Sequence, residues 1–311
     1  MLGGPGFMRD GPGDVLSTLL RQVRIGVARF GRVELGAPWG VRLAQRDTVS
    51  MHLLLQGDLW VDDSPLAVGD LLVLHSASHT LRNHPGADVV AEPDWPSEGE
   101  LAVYRRHGGD GTRTVLLCAE LTIEGAGRSL LLRALPPVVH LPSSLPSFEA
   151  LLDALRDEIR ERRPATEVIA ARLIELVLLQ VIRVELARPA ESGAWRAALA
   201  DGRVGRALAA IYTEPARGWT VAGLARVAGM SRAAFAPRFR ELVGEGPGAH
   251  LARWRMDLAK AMLLEHPERS VAQVAAAVGY ASEFAFSAAF RRVTGSPPGR
   301  YRNTHLPEDA V

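Results

Sequence analysis

The chain has 311 residues, with 36 Lys and Arg against 35 Asp and Glu and 47% hydrophobic residues, so it is long enough for two domains with packed cores. This composition excludes a wholly disordered chain, and a single cysteine, Cys118, excludes an intrachain disulfide framework. No run approaches the roughly 18 uncharged apolar residues of a membrane span, and residues 1–14, a predicted flexible N-terminus, lack the order of a signal peptide. We therefore expect a soluble, cytoplasmic protein without a membrane partner.

The near-neutral charge hides a difference along the chain. Residues 1–194 contain 20 basic and 25 acidic residues, a net charge of −5, whereas residues 195–311 contain 16 and 10, a net charge of +6. An asymmetry of this kind favours contact between the basic part and a polyanion.

Residues 15–141 have the pattern of short strands separated by turns. Apolar or alternating runs recur between Gly-, Asp- and Pro-containing turns, at 49–55, 71–74, 115–117 and 130–132. Many short strands at this spacing predict an antiparallel sandwich or a small barrel.

Residues 142–194 are predicted to be a helical linker. A Pro- and Ser-rich stretch at 141–147 marks the boundary, and apolar residues then repeat at helical spacing. A second helix is expected after Pro164, with a broad apolar face formed by Ile169, Leu173, Leu176, Val177 and Ile182. This face either pairs with a second copy of the chain or packs back onto the first domain.

Residues 195–302 contain an internal repeat, and a tail follows at 303–311. Gly229 and Gly279 mark the same position of two units that each have the pattern helix, tight turn, helix. The predicted N-caps of the four helices are Thr220, Ser231, Ser270 and Ser282. The core-facing positions predicted for the second helix of each unit are Phe235, Phe239 and Leu242, then Phe286, Phe290 and Val293.

A helix predicted at about 248–265 joins the two units. Its roughly 18 residues span about 27 Å, which is comparable with the roughly 34 Å between successive major grooves on one face of DNA. One chain could therefore place two helices in adjacent grooves.

At these landmarks, from Trp219 through Gly279 to Tyr301, the chain resembles the AraC/XylS family of transcription regulators. The resemblance implies a seven-helix domain that binds double-stranded promoter DNA through two recognition helices. The base-contacting positions that it implies are Ala233, Ala236, Pro237, Glu283, Phe284, Ser287 and Ala288. Predicted phosphate contacts are Arg232, Arg238, Arg240, Arg291, Arg292 and Arg302, and the capping Ser282 completes the interface. Since Ala233 and Ala236 cannot hydrogen-bond bases and Pro237 can kink its helix, we expect the second unit to discriminate sequence more strongly.

Residues 15–141 resemble the cupin-type sensor domain of a subset of this family, with the Met51-His52 and Gly69-Asp70 segments among the landmarks. The resemblance implies a β-barrel that holds a small-molecule effector or a transition metal. His52, His79 and Cys118 are the candidate ligands, although the His-x-His pair of enzymatic cupins is absent from the sequence. No cofactor is certain at this point, because these residues also suit an ordinary core.

The sequence therefore predicts a multidomain α and β protein with a cupin-like barrel, a helical linker and an all-α double helix-turn-helix domain. The predicted function is that of an effector-responsive transcription regulator, not an enzyme, with promoter DNA, a second copy of itself and RNA polymerase as partners. The sequence leaves activation and repression both open, although the resemblance favours an activator. Two alternatives stay open: a metal-dependent cupin oxygenase or isomerase fused to a DNA-binding domain, and a constitutive DNA-binding protein whose barrel only dimerises.

Overall fold

The computed structural model describes residues 15–75, 78–91, 102–143, 145–161, 163–188 and 194–305. They divide into two compact units. The β-rich unit contains the described residues of 24–123 and 135–188, and the helical unit contains 15–23, 124–134 and 194–305. Among the described helices, none is long and apolar enough to cross a membrane.

The strands of the β-rich unit form two sheets. The eleven strands of the described residues are β1 (Arg24–Gly36), β2 (Gly40–Leu43), β3 (Val49–Gln56), β4 (Leu59–Val61), β5 (Ser64–Leu66), β6 (Leu71–His75), β7 (His79–Arg82), β8 (Val90–Ala91), β9 (Ala102–Gly108), β10 (Arg113–Glu124) and β11 (Val138–Leu141). The first sheet has the order β11-β6-β3-β10-β1-β9 and the second the order β5-β4-β7-β2-β8.

The predicted barrel is a pair of open, mixed sheets. β1 pairs with β9, and β2 with β8, in parallel, whereas the other described ladders are antiparallel. In the strand order of the described residues, β9 ends the first sheet without pairing with β11 and β8 ends the second without pairing with β5. A closed barrel requires such a final ladder, so the described strands form open sheets and not a closed barrel.

Strand β10 positions the centre of the first sheet. Its buried residues alternate along 119–123, as expected for a strand with one face in the core, and it pairs antiparallel with β3 so that Cys118 lies opposite His52. A tight turn at Gly57 follows β3 with φ +83°, and a Cβ there would lie 2.3 Å from the Arg113 carbonyl oxygen. A side chain at this turn would therefore displace the neighbouring strand.

Two helices, α3 (Pro146–Glu161) and α4 (Thr166–Ala187), lie in the segment predicted as a helical linker. They pack against each other within the β-rich unit, and α4 also contacts β1. The predicted broad face of α4 is divided: Val177 and Ile182 are fully buried, whereas Ile169 and Leu176 are exposed by 44% and 48%. Among the described residues, only part of the face is therefore buried.

The helical unit combines distant segments. Its helices are α1 (Val15–Leu20), α2 (Arg128–Ala134), α5 (Ala194–Ala200), α6 (Val204–Thr213), α7 (Val221–Ala228), α8 (Arg232–Val243), α9 (Pro247–Glu265), α10 (Val271–Ala277), α11 (Glu283–Thr294) and α12 (Pro298–His305). The apolar run 130–132, predicted as a strand, lies in α2, because Leu130, Leu131 and Ala134 bury one helical face.

Described residues 194–305 form eight helices, so the expectation of seven is wrong. The additional break lies between α5 and α6. There the Asp201 carboxylate accepts hydrogen bonds from the backbone N–H groups of Arg203 and Val204, both at 2.9 Å, and so caps the start of α6.

Candidate nucleic-acid interface

The first helix-turn-helix consists of α7, a turn at Gly229 and α8. The Thr220 hydroxyl accepts from the Gly223 N–H at 3.0 Å, and the Ser231 hydroxyl accepts from the Ala234 N–H at 3.2 Å, so both predicted N-caps are confirmed. Gly229 ends α7 with φ +66°. This left-handed residue reverses the chain and lets α8 start three residues later.

The core of this unit determines which face of α8 is exposed. Phe235 and Phe239 are fully buried with ring centroids 5.5 Å apart, and Leu242 is 7% exposed, as predicted. The predicted contact residues of α8 lie on the remaining surface. Arg232, Ala233, Pro237, Arg238 and Arg240 are exposed, and Ala236 is half-buried.

The second helix-turn-helix repeats this construction with α10, Gly279 and α11. Ser270 forms a reciprocal capping box with Gln273, and the Ser282 hydroxyl accepts from the Ala285 N–H at 3.4 Å. Gly279 has φ +84°, and a Cβ there would lie 2.6 Å from the Ala216 carbonyl oxygen. The predicted Gly turn is therefore confirmed, and the close backbone approach excludes a larger residue.

Helix α11 also buries one face and exposes the other. Phe286 and Phe290 are fully buried, but the prediction that Val293 faces the core is wrong, because Val293 is 48% exposed in the last turn. Beyond Phe290 the core is continued by Tyr301, whose ring lies 5.4 Å from that of Phe290. Of the predicted contact residues, Ser287 is half-buried, and those exposed are Ser282, Glu283, Phe284, Ala288 and Arg291.

Helix α9 joins the two units and confirms the predicted connecting helix. Its 19 residues span about 28 Å. Within its first turns lies the buried His250, whose Nδ1 is 2.8 Å from Glu245 Oε1 and whose Nε2 is 2.8 Å from the Tyr212 hydroxyl oxygen. The hydrogen bond to His250 lowers the pKa of Glu245 to about 2, although burial opposes this shift and Arg253 reinforces it. The network ties α9 to α6.

Two predicted phosphate contacts are engaged inside the chain. Arg238 lies 3.2 Å from Asp201 and 3.1 Å from Glu241, and Arg302 donates to the carbonyl oxygens of Pro267 and Arg269. Arg302 thus fastens α12 to the turn before α10. Sequence reasoning missed the pairing of Arg238 with Asp201 and the contacts of Arg302, because these partners are 33 to 37 residues apart and no local pattern connects them.

Pro237 lies inside the continuous helix α8, where proline lacks the N–H that closes a helical hydrogen bond. We expect Pro237→Ala to raise the free energy of unfolding by about 1–3 kcal/mol, since a proline costs up to about 3 kcal/mol relative to alanine in a helix interior. Thermal unfolding of the full chain measures this. The reciprocal change Ala288→Pro, at the equivalent position of α11, should lower the free energy of unfolding. A change of the same sign in both variants would contradict the prediction.

The sensor candidates come together in the β-rich unit. His52 Nδ1 lies 3.2 Å from Cys118 Sγ, and His52 Nε2 lies 2.9 Å from His79 Nε2. Burial, with the charge of His79 as a further cause, lowers the pKa of His52 to about 3. His52 is therefore neutral near pH 7 and provides no imidazolium that would favour a Cys118 thiolate.

This arrangement does not fit a metal site. Two imidazole nitrogens bound to one tetrahedral zinc ion at 2.0–2.1 Å lie about 3.3 Å apart with their lone pairs directed at the ion. Here the two Nε2 atoms face each other at hydrogen-bond distance. Within the described ranges, no group of three or more His, Cys, Asp and Glu side chains could hold a metal ion. The three residues form a hydrogen-bonded chain instead of a ligand set.

Known proteins resemble the chain over both units. A family model described as Cupin matches residues 14–187, and a model described as a helix-turn-helix domain matches residues 224–304. A putative AraC-like transcription regulator of Streptomyces lividans is 38% identical over 278 residues, which cover 86% of this chain and 90% of the relative. The RCS-specific HTH-type transcriptional activator RclR of Escherichia coli is 30% identical over 275 residues, 86% and 89% of the two chains. With its cupin domain and its two helix-turn-helix units, the chain belongs to the AraC-like family of sequence-specific, DNA-binding transcription regulators.

Proposed function

We propose that each chain places α8 and α11 in adjacent major grooves of promoter DNA. The observation that carries this proposal is the matched exposure of the first turns of both helices, joined by the continuous helix α9. Its length of about 28 Å is close to the roughly 34 Å between grooves. Genome-wide mapping of bound DNA tests the proposal: the preferred sites should contain two half-sites one helical turn apart, and an absence of sites bound above random DNA at physiological salt would contradict it.

The exposed residues of α11 are the proposed readers of sequence. Glu283 can accept a hydrogen bond from a cytosine amino group, Ser287 can bond a base or a phosphate, and Phe284 and Ala288 can contact thymine methyl groups. On α8, Ala233, Ala236 and Pro237 offer only apolar contact. The proposed phosphate contacts are Arg232, Arg240, Arg291 and Arg292, and Arg238 would join them by exchanging its carboxylate partners for a phosphate.

Glu283→Ala is expected to relax discrimination at one base pair by about 1–3 kcal/mol. The reason is that only this exposed residue in the first turn of α11 carries a carboxylate. Competition between the preferred site and single-base variants of it measures the effect. Glu268→Ala, which removes another exposed carboxylate outside the recognition helices, should raise affinity for all sites alike. Unchanged discrimination by Glu283→Ala would contradict the assignment.

The regulator is proposed to respond to an effector in its cupin domain, to act in the cytoplasm and to form a homodimer. Val168, Ile169 and Leu176 form an apolar surface on α4 that the described residues leave exposed, which supports pairing with a second copy. The mass of the protein in solution checks this point. Activation through RNA polymerase is proposed on the printed name of RclR, an activator.

The cupin domain is proposed to sense and not to catalyse. The hydrogen-bonded geometry of His52, His79 and Cys118 supports this, because both ring nitrogens of His52 are engaged with protein groups. Turnover that depends on stoichiometric bound iron or manganese would contradict it.

A further inference from the structure

An apolar cavity of about 90 Å³ lies in the β-rich unit, lined by strands of both sheets. This volume is several times the share of about 30 Å³ that one water takes in the liquid, and it is of the same order as an apolar cavity of about 150 Å³ that stays dry and binds benzene. The buried side chains that carry the argument are Phe30, Leu35, Trp39, Val41, Leu81 and Leu116. They offer a ligand apolar and aromatic surface.

The buried polar groups of His52 and Trp39 in the wall are already bonded to the protein. His52, which is 3% exposed, contacts both Cys118 and His79. The Trp39 indole N–H donates to the Thr114 hydroxyl at 3.3 Å. A ligand therefore need not bring hydrogen-bonding groups to satisfy these atoms, and a polar ligand would lose its own bonds to water on entry.

The charged residues Arg29, Arg46 and Glu120 of the wall are paired with one another. Arg29 and Arg46 both lie 2.7 Å from Glu120 Oε1. A ligand carboxylate could bind these two guanidinium groups only by competing with Glu120, whose ion pairs with both arginines would have to be given up. An uncharged ligand leaves both pairs intact.

We propose that this cavity binds a small, uncharged, apolar molecule, either aromatic or branched aliphatic and about the size of benzene. The inference rests on the proposed function in one respect, namely that this molecule is the effector.

Toluene and benzoate provide the test, because they share a ring and differ in charge. With the full chain, calorimetric titration should show saturable binding of toluene with a negative heat-capacity change, and toluene should raise the unfolding temperature. Benzoate at the same free concentration should bind at least about tenfold more weakly, a difference of about 1.4 kcal/mol. Absence of toluene binding, or tighter binding of benzoate, would overturn the inference.

Cavity-filling variants locate the binding. Leu116→Phe should weaken toluene binding at least about tenfold by occupying the cavity. Since Leu116→Phe can also disturb a buried strand, Ala44→Phe, at an exposed position of the wall, is the second variant. Val68→Phe is the matched control, because Val68 is 54% exposed and lies outside the lining. Full toluene affinity in both cavity variants would overturn the location.

Measurement of promoter affinity with and without toluene separates this inference from the proposed function. Binding of toluene that leaves promoter affinity and transcription unchanged would support the ligand class and contradict the effector response. Intact promoter binding without any binding of toluene would overturn the ligand class alone.

Discussion

Phe286→Ala is expected to destabilise the helical unit by about 3–5 kcal/mol and to abolish DNA binding by the second helix-turn-helix. Phe286 is fully buried, with ring centroids 5.6 Å from those of both Tyr280 and Phe290. Its removal leaves a cavity below α11, in a region whose backbone cannot collapse to fill it without moving the recognition helix. Chemical denaturation of the full chain, followed by promoter binding, measures both effects.

Phe284→Ala is the matched control for this experiment. Phe284 is two residues earlier on the same helix and is 85% exposed, so the same change should alter the free energy of unfolding by less than about 0.5 kcal/mol. Its expected effect is confined to DNA, as weaker preference for a thymine at one position. An equal decrease in the free energy of unfolding in the two variants would contradict the prediction that the buried phenylalanine stabilises the fold and the exposed one does not.

Acidification is expected to destabilise the β-rich unit through His52. Burial lowers the pKa of His52 to about 3, whereas a histidine in the unfolded chain titrates near 6.5. Below pH 6.5 the unfolded chain binds more protons than the folded one, so the free energy of unfolding falls as the pH falls. Between about pH 6.5 and pH 5 this contribution amounts to a loss of about 2 kcal/mol.

His52→Gln tests the origin of this pH dependence, because glutamine hydrogen-bonds without titrating. Its own stability at neutral pH can differ from that of the parent; the quantity compared is the slope with pH, which should become shallower by up to about 1.4 kcal/mol per pH unit. His84→Gln, which makes the same change at an exposed histidine, is the matched control. If the free energy of unfolding of His52→Gln depends on pH as steeply as that of the parent, other groups cause the destabilisation by acid.

The double helix-turn-helix was predictable because its signals are local. Each N-cap hydroxyl bonds an N–H three residues later, and each turn glycine adopts its positive φ within the same few residues. A serine or a glycine at such a position acts in the same way in almost any context. The repeated positions of the phenylalanines then predicted which face of α8 and of α11 is buried and, therefore, which face is exposed.

Other features depended on contacts between distant residues, and sequence patterns did not predict them. The pairing of Arg238 with Asp201 crosses 37 residues. The open edges of the two sheets follow from ladders that no strand pattern specifies. The residue types of His52, His79 and Cys118 predicted that the three side chains lie close together, and they do. Whether their ring nitrogens point at a common metal ion or at one another depends on side-chain orientation, which the sequence does not specify.

The helical unit is assembled from segments that the ribosome produces far apart in time. Helix α1 buries Val15 and Leu19 and packs against α6, which begins at Val204. Trp195 donates its indole N–H to the Leu130 carbonyl oxygen of α2 at 2.9 Å, with Arg133 above its ring. At a synthesis rate of about 5–20 residues per second, α6 is made roughly 10–40 s after α1. The helical unit can therefore form only after nearly the whole chain has been synthesised, and a fragment that begins at residue 195 would lack α1 and α2 and would expose Trp195.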